Sequence, residues 1–263
     1  MIKTKTFQHR LFAFALLLAS LVSGCQPKAE ATDQPETSSP PPATAQEIPA
    51  DVPTGISKDI FLDPALALDK DSLMISAYLY EGLVVLDAAG NVQPGIAESW
   101  VISDDQLDYI FTLRPGITFS DGTPITPDVV TDNFNRWFDP KNPLHKDGEY
   151  ATWESIFLGF LGEKDANDRA KSSVDGIQKV DSNTVLLHLS RPVPEALTYL
   201  ANPAFAILNT KVVALGGYGT KESKITSSGP YVVSSWTDEG LTLAPNEKYW
   251  GEIPAGNLSF TWR

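Results

Sequence analysis

Apolar and polar positions fall into patterned runs from Gly55 onward. Leu73 to Leu86 (LMISAYLYEGLVVL) places Leu73, Ala77 and Tyr80 at helical spacing, which predicts a helix capped by Asp71 or Ser72. Gly82 breaks it, and Leu83 to Leu86 continues as a short strand before the turn Ala89-Gly90-Asn91. Glu98 to Ile102 and Leu107 to Leu113 read as two strands joined at Ser103-Asp104-Asp105. In the second, Leu107, Tyr109, Phe111 and Leu113 share one face, opposite Asp108, Ile110, Thr112 and Arg114. Thr126-Pro127-Asp128 opens a helix with an N-cap, a first-turn proline and an acid at the positive dipole end. Val130, Phe134, Trp137 and Phe138 then form its buried stripe. Residues 139–173 read as loop-rich, with Trp153, Ile156, Phe157 and Phe160 as a short amphipathic patch. A hairpin spans Ile177 to Val180 and Thr184 to Leu189, and Pro194 to Leu200 is a short helix. Ser227-Ser228-Gly229-Pro230 turns into a last hairpin, Tyr231 to Trp236 and Leu241 to Ala244, followed by a strand from Leu258 to Trp262. No internal repeat is visible.

The first 54 residues carry no such periods. Lys3, Lys5 and Arg10 precede the uncharged run Leu11 to Val22, shorter than the about 20 residues a membrane span needs and suited to a secretory h-region. Leu21-Val22-Ser23-Gly24-Cys25 resembles the lipobox of bacterial lipoproteins, in which cleavage precedes the cysteine and acyl chains are added to it. The alternative is an ordinary signal with a stray cysteine. Residues 26–54 are rich in Pro, Ala, Thr, Ser and Glu, lack aromatics and include Pro40-Pro41-Pro42. Such a segment cannot bury a core and reads as a disordered, partly extended tether.

Composition narrows the chemistry. The chain has 263 residues, 42% hydrophobic, with 33 acidic against 20 basic side chains and a net charge of −13. That balance argues against nucleic acid. Removing residues 1–24 takes away three basic and no acidic side chains, so the mature chain is more acidic still, and Cys25 rather than charge would hold it at a membrane. One cysteine permits no intrachain disulfide and no thiolate zinc cluster, and His145 and His188 are too few for a three-histidine site. Asp104-Asp105 lies at a polar turn, and Asp121 in Ser120-Asp121-Gly122-Thr123-Pro124 suits a turn cap. Ser228-Gly229-Pro230 lacks the spacing and lysine of a phosphate loop, and no G-x-S-x-G accompanies the histidines. No catalytic set, cofactor or metal site is predicted.

Eight stretches in register resemble the family 5 extracellular solute-binding proteins, the peptide and nickel receptors of ABC importers. They are Leu62-Asp63-Pro64, Tyr80-Glu81-Gly82-Leu83-Val84, Pro94 to Trp100, Phe111 to Gly116, Phe119 to Val130, Asp181 to Val185, Ser228-Gly229-Pro230-Tyr231 and Asn246 to Trp250. The resemblance implies an α/β, periplasmic-binding-protein-like fold of type II with an inserted subdomain, here lobe one only. It implies a lobe-one core at 55–80 plus 209–263 and an inserted subdomain at 81–208, behind the 1–24 signal and the 25–54 lipidated tether. Relatives run to roughly twice this length, so the chain is expected to be a fragment or a truncated derivative. The implied activity is capture of a small solute, chiefly peptide, by an exported, lipid-anchored monomer that delivers it to an ABC permease in the membrane. In relatives the segment after Leu-Asp-Pro pairs with ligand backbone, which points to Leu68, Asp69, Lys70 and Asp71. A cleft tyrosine after the Trp137 helix points to Tyr150, with Trp153 beside it. A lipid-anchored interaction protein without a transport role stays open as the alternative.

Overall fold

The computed structural model describes residues 55–263; the signal, Cys25 and the tether lie outside the described residues. Helix α1 (Lys70–Leu79) begins before Leu73 because Asp69 caps it, rather than Asp71 or Ser72. Asp69 is extended at φ −93° and ψ 149°, and its Oδ1 accepts from Ser72 N at 2.8 Å. Asp71 sits in the first turn, where the helix dipole favours a carboxylate.

Strands β1 (Val84–Leu86) and β2 (Val92–Pro94) form a small antiparallel pair. The sequence pattern missed β2, since three residues ending in proline carry no readable period. Strands β3 (Ala97–Ile102), β4 (Asp108–Leu113), β5 (Val174–Lys179) and β6 (Thr184–Leu189) make an antiparallel sheet in the order β3-β4-β6-β5. Tyr109 pairs with Leu187 and Phe111 with Val185, and all four are buried on one face. Helix α2 (Pro127–Phe138) packs over β5 and β6. Its cap is Thr126, as its sequence predicts, and Val130, Phe134, Trp137 and Phe138 are buried. Each such side chain contributes about 1.5–3 kcal/mol when fully buried. Of the aromatic patch expected inside a loop, Trp153, Ile156 and Phe157 lie on helix α3 (Ala151–Phe157), closed by Leu158 in the left-handed region at φ 69°, and Phe160 follows it.

These elements surround one cluster of buried apolar residues, running from Leu83 to Ile207 with Ala65 added. A second cluster gathers Ile56 to Leu62, the inner face of α1, Leu208 and the last sheet. Helices α4 (Ala196–Leu200) and α5 (Thr210–Val213) flank the crossing segment. Strands β7 (Tyr231–Trp236), β8 (Gly240–Pro245) and β9 (Leu258–Thr261) form an antiparallel sheet in that order, and Ile56 bridges Trp262 in parallel. Between the clusters the chain alternates: Phe205 and Ile207 belong to the first, Ala206 and Leu208 to the second. That is the period of two of an extended chain buried on both sides.

Polar side chains of α2 fasten the two clusters together. Asn133 Nδ2 donates to Leu208 C=O at 2.8 Å, and Asn133 Oδ1 accepts from Leu208 N at 3.1 Å. One side chain thus completes both backbone groups of a fully buried residue.

Candidate ligand-facing site

The Leu62-Asp63-Pro64 turn is the starting point. Leu66 N and Ala67 N both donate to Asp63 C=O at 3.0 Å, which winds the chain and sends the Asp63 carboxylate inward. Leu62 N donates to Gly219 C=O at 2.8 Å. Gly219 sits at φ +93°, and a Cβ there would meet Asp63 N at 2.6 Å, so only glycine lets this loop close on the turn. Tyr80 Oη donates to Leu62 C=O at 3.0 Å, and the Tyr218 hydroxyl lies 3.1 Å from Tyr80 Oη. Burial raises both phenols above their ordinary range, so they stay protonated and act as struts.

Arg136, from the last turn of α2, meets Asp63 through Nη2 and Oδ2. Both side chains are almost wholly buried, at 2% and 3% exposure. Burial pushes the Asp63 carboxyl up from its ordinary value, against the pull of the guanidinium. Asp63 Oδ1 and Arg136 Nε and Nη1 have no hydrogen-bond partner among the described residues. The pair is charge-matched but incompletely hydrogen-bonded.

Above this pair lies a cavity of about 170 Å³. Its walls include Phe61, Leu66, Leu144, Lys146, Tyr150 and Val213. His145 Nδ1 donates to Arg136 C=O at 2.7 Å, and its ring stacks on Tyr150 with centroids 4.5 Å apart. Tyr150 Oη donates to His145 C=O at 3.2 Å, so the tyrosine ring is fixed by its own loop. The cavity therefore has aromatic and aliphatic walls, one cationic side chain and a buried ion pair beneath it.

The residues singled out from the sequence are divided by the structure. Leu66, which leads into the 68–71 segment, and Tyr150 line the same cavity. Leu68 is 68% exposed, an unusual position for a leucine, and Asp69 and Lys70 are exposed beside it. Asp71 is turned under: its Oδ2 accepts from Ser57 N at 2.9 Å and from Arg263 Nη2 at 3.2 Å. Lys70 and Asp71 belong to the first turn of α1, so strand-like pairing cannot run through them, and Asp69 before them is extended. Trp153 is packed among Phe134, Trp137, Phe138, Phe157 and Phe205 and donates Nε1 to Gly159 C=O at 3.1 Å. Its contribution is to hold α3, and through α3 the Tyr150 loop. Sequence reasoning missed Asp63 and Arg136. The available signal was a charged residue at position 136 flanked by the buried stripe of α2, where a solvated arginine does not belong.

Comparison with known proteins places this architecture. Residues 91–258 match the model of the bacterial extracellular solute-binding proteins, family 5 (middle region). The chain belongs to that family. Its members are binding proteins, not enzymes. The chain is similar to the probable deoxycholate-binding periplasmic protein YgiS of Escherichia coli K12, with 31% identity over 79% of this chain and 40% of that protein. It is also similar to the periplasmic murein peptide-binding protein MppA of the same organism, with 30% identity over 72% of this chain and 34% of that protein. Among solved structures, the periplasmic binding protein DppA of Helicobacter pylori in complex with the peptide STSA superposes with a TM-score of 0.68, at 23% identity over 80% of this chain and 41% of that one. That likeness shows the type II periplasmic-binding fold with part of it present. The chain spans 34% and 40% of the lengths of the two curated relatives.

Proposed function

We propose that the protein carrying this chain is the substrate-binding component of an ABC importer, and that its solute is a peptide or a molecule of similar size. The observation that carries the reading is the cavity lined by Leu66, just after Leu62-Asp63-Pro64, and by Tyr150, in a chain that belongs to the family 5 solute-binding proteins. Asp69, extended just before α1, offers backbone that suits pairing with a peptide main chain of any sequence. Tyr150 supplies an aromatic wall with little conformational freedom to lose. The relatives are named for quite different solutes, murein peptide and deoxycholate, so the ligand class rests on the extended backbone at Asp69. Calorimetry of the protein with a mixed tri- and tetrapeptide pool tests it. Tyr150→Ala and Leu68→Asp are expected to weaken peptide binding about tenfold or more, roughly 1.4 kcal/mol. Unchanged affinity in both would remove Tyr150 and the Leu68 segment from the binding site.

We infer further that Cys25 is acylated and anchors the mature protein on the outer side of the cell membrane. The order of n-region, apolar run, small residues and cysteine supports this. Metabolic labelling with a fatty-acid analogue is expected to mark the wild-type protein and not Cys25→Ser; label in the serine variant would overturn it.

A further inference from the structure

Glu81 occupies the seam between the two apolar clusters. Tyr80 before it belongs to the second cluster, and Leu83 after it to the first. Three passes of the chain meet at its backbone. Glu81 N donates to Ser228 Oγ at 3.1 Å, Ser228 Oγ donates to Ile207 C=O at 3.0 Å, and Ile207 N donates to Glu81 C=O at 2.8 Å. Gly229 packs on the same crossing, where a Cβ would meet Leu79 C and Tyr80 N at 2.9 Å.

A fourth pass joins through the Glu81 carboxylate. Tyr249 Oη donates to Oε1, and Trp250 Nε1 donates to Oε2 at 3.0 Å. These two residues follow β8 of the second sheet, yet Trp250 packs against the first cluster. The guanidinium of Arg114, just beyond β4, lies 3.9 Å over the Trp250 ring, and Arg114 Nε donates to Gly95 C=O at 2.8 Å. Residues from both sides of the seam therefore close on one buried carboxylate, held by two neutral donors and, among the described residues, no direct counter-ion.

We propose that Glu81 is a proton-operated clasp: protonated, it stays closed and neutral in the seam with Tyr249 and Trp250, and ionised, it favours loosening of the segment around these two residues, which lets water reach the charge. The chemistry is uptake of one proton from solvent. The ionised carboxylate accepts from both donors. Once protonated, the oxygen facing Tyr249 is itself an O–H donor. Tyr249 must then turn its own proton away and accept instead, so the protonated clasp keeps a bond to Tyr249 without holding a buried charge. Trp250, having only a donor, keeps its bond to the remaining carbonyl oxygen. The charged or titratable groups that face Glu81 are Arg114 and Tyr249. Burial raises the Glu81 carboxyl to about 7, against the lowering effects of Tyr249, Trp250 and Arg114, so the clasp would work near neutral pH. The device does not depend on which solute the protein binds.

Carbon-13 NMR of glutamate carboxyl groups, with fluorine NMR of 5-fluorotryptophan-labelled protein, tests this. The Trp250 resonance is assigned from Trp250→Phe. One glutamate carboxyl is expected to titrate with a midpoint near 7, and the Trp250 resonance is expected to move with the same midpoint. Glu81→Gln should abolish both. Titration of every glutamate below pH about 5.5, or an identical Trp250 response in Glu81→Gln, would overturn the proposal. If Glu81→Gln does not fold, Tyr249→Phe decides. It removes a donor to the ionised form and should raise the carboxyl midpoint by about 1–2 units; an unmoved midpoint overturns the clasp.

Discussion

Breaking the Asp63–Arg136 pair from one side should be far more damaging than removing it altogether. Arg136→Met leaves the Asp63 carboxylate in a site where its side chain is 3% exposed and its Oδ1 already has no partner among the described residues. Severing a buried pair in this way destabilises by about 3–5 kcal/mol. Asp63→Leu combined with Arg136→Met removes both charges and the orphaned Oδ1, Nε and Nη1 together. Because the native pair is incompletely hydrogen-bonded, the double variant should recover to within about 1 kcal/mol of wild type or exceed it. Urea denaturation followed by tryptophan fluorescence measures this, since Trp137 and Trp153 lie in the core next to α2. With a slope of about 2 kcal/mol per molar urea, Arg136→Met should lower the midpoint by about 1.5–2.5 M. A single variant within about 1 kcal/mol of wild type, or a double variant as unstable as the single, would refute the reasoning. Either result would mean that the guanidinium is held by its packing over Tyr150, 5.5 Å from the ring centroid, and not by its charge.

Asn133→Leu should cost about 2–4 kcal/mol, because the buried Leu208 loses partners for both its N–H and its C=O; faster hydrogen exchange of the Leu208 amide is the local check. Gly229→Ala should cost about 1–3 kcal/mol, since its Cβ would sit 2.9 Å from backbone atoms of Leu79 and Tyr80, and a melting temperature unchanged from wild type would contradict the packing described. Glu81 binds its proton more tightly folded, at about 7, than at the ordinary value of 4.5, so stability should fall as pH rises between those values, by up to ~3 kcal/mol, and level off above them. Urea midpoints across that window should show the slope in wild type and lose it in Glu81→Gln.

Much of the fold was readable because burial has a local period. The stripe Val130, Phe134, Trp137 and Phe138 fixed α2, and Thr126-Pro127-Asp128 fixed its start. The alternation in Tyr109, Phe111 and Leu113 fixed the inward face of β4. The start of α1 was misread because Asp69, Asp71 and Ser72 are all competent caps, and only the observed backbone chooses among them. Longer-range facts were not legible at all. Nothing near Asp63 names Arg136 as its partner 73 residues away, and nothing near Glu81 names Tyr249 and Trp250, 168 and 169 residues on. The sequence by itself determined most of the elements, their buried faces and the family, though not β2 or α3, since each depends on residues a few positions apart. Only the tertiary structure decided which polar groups share the seam and the cavity. Those partners are set by how the chain closes between its two apolar clusters, where desolvation obliges every charge that enters to find an opposite charge or hydrogen-bond donors.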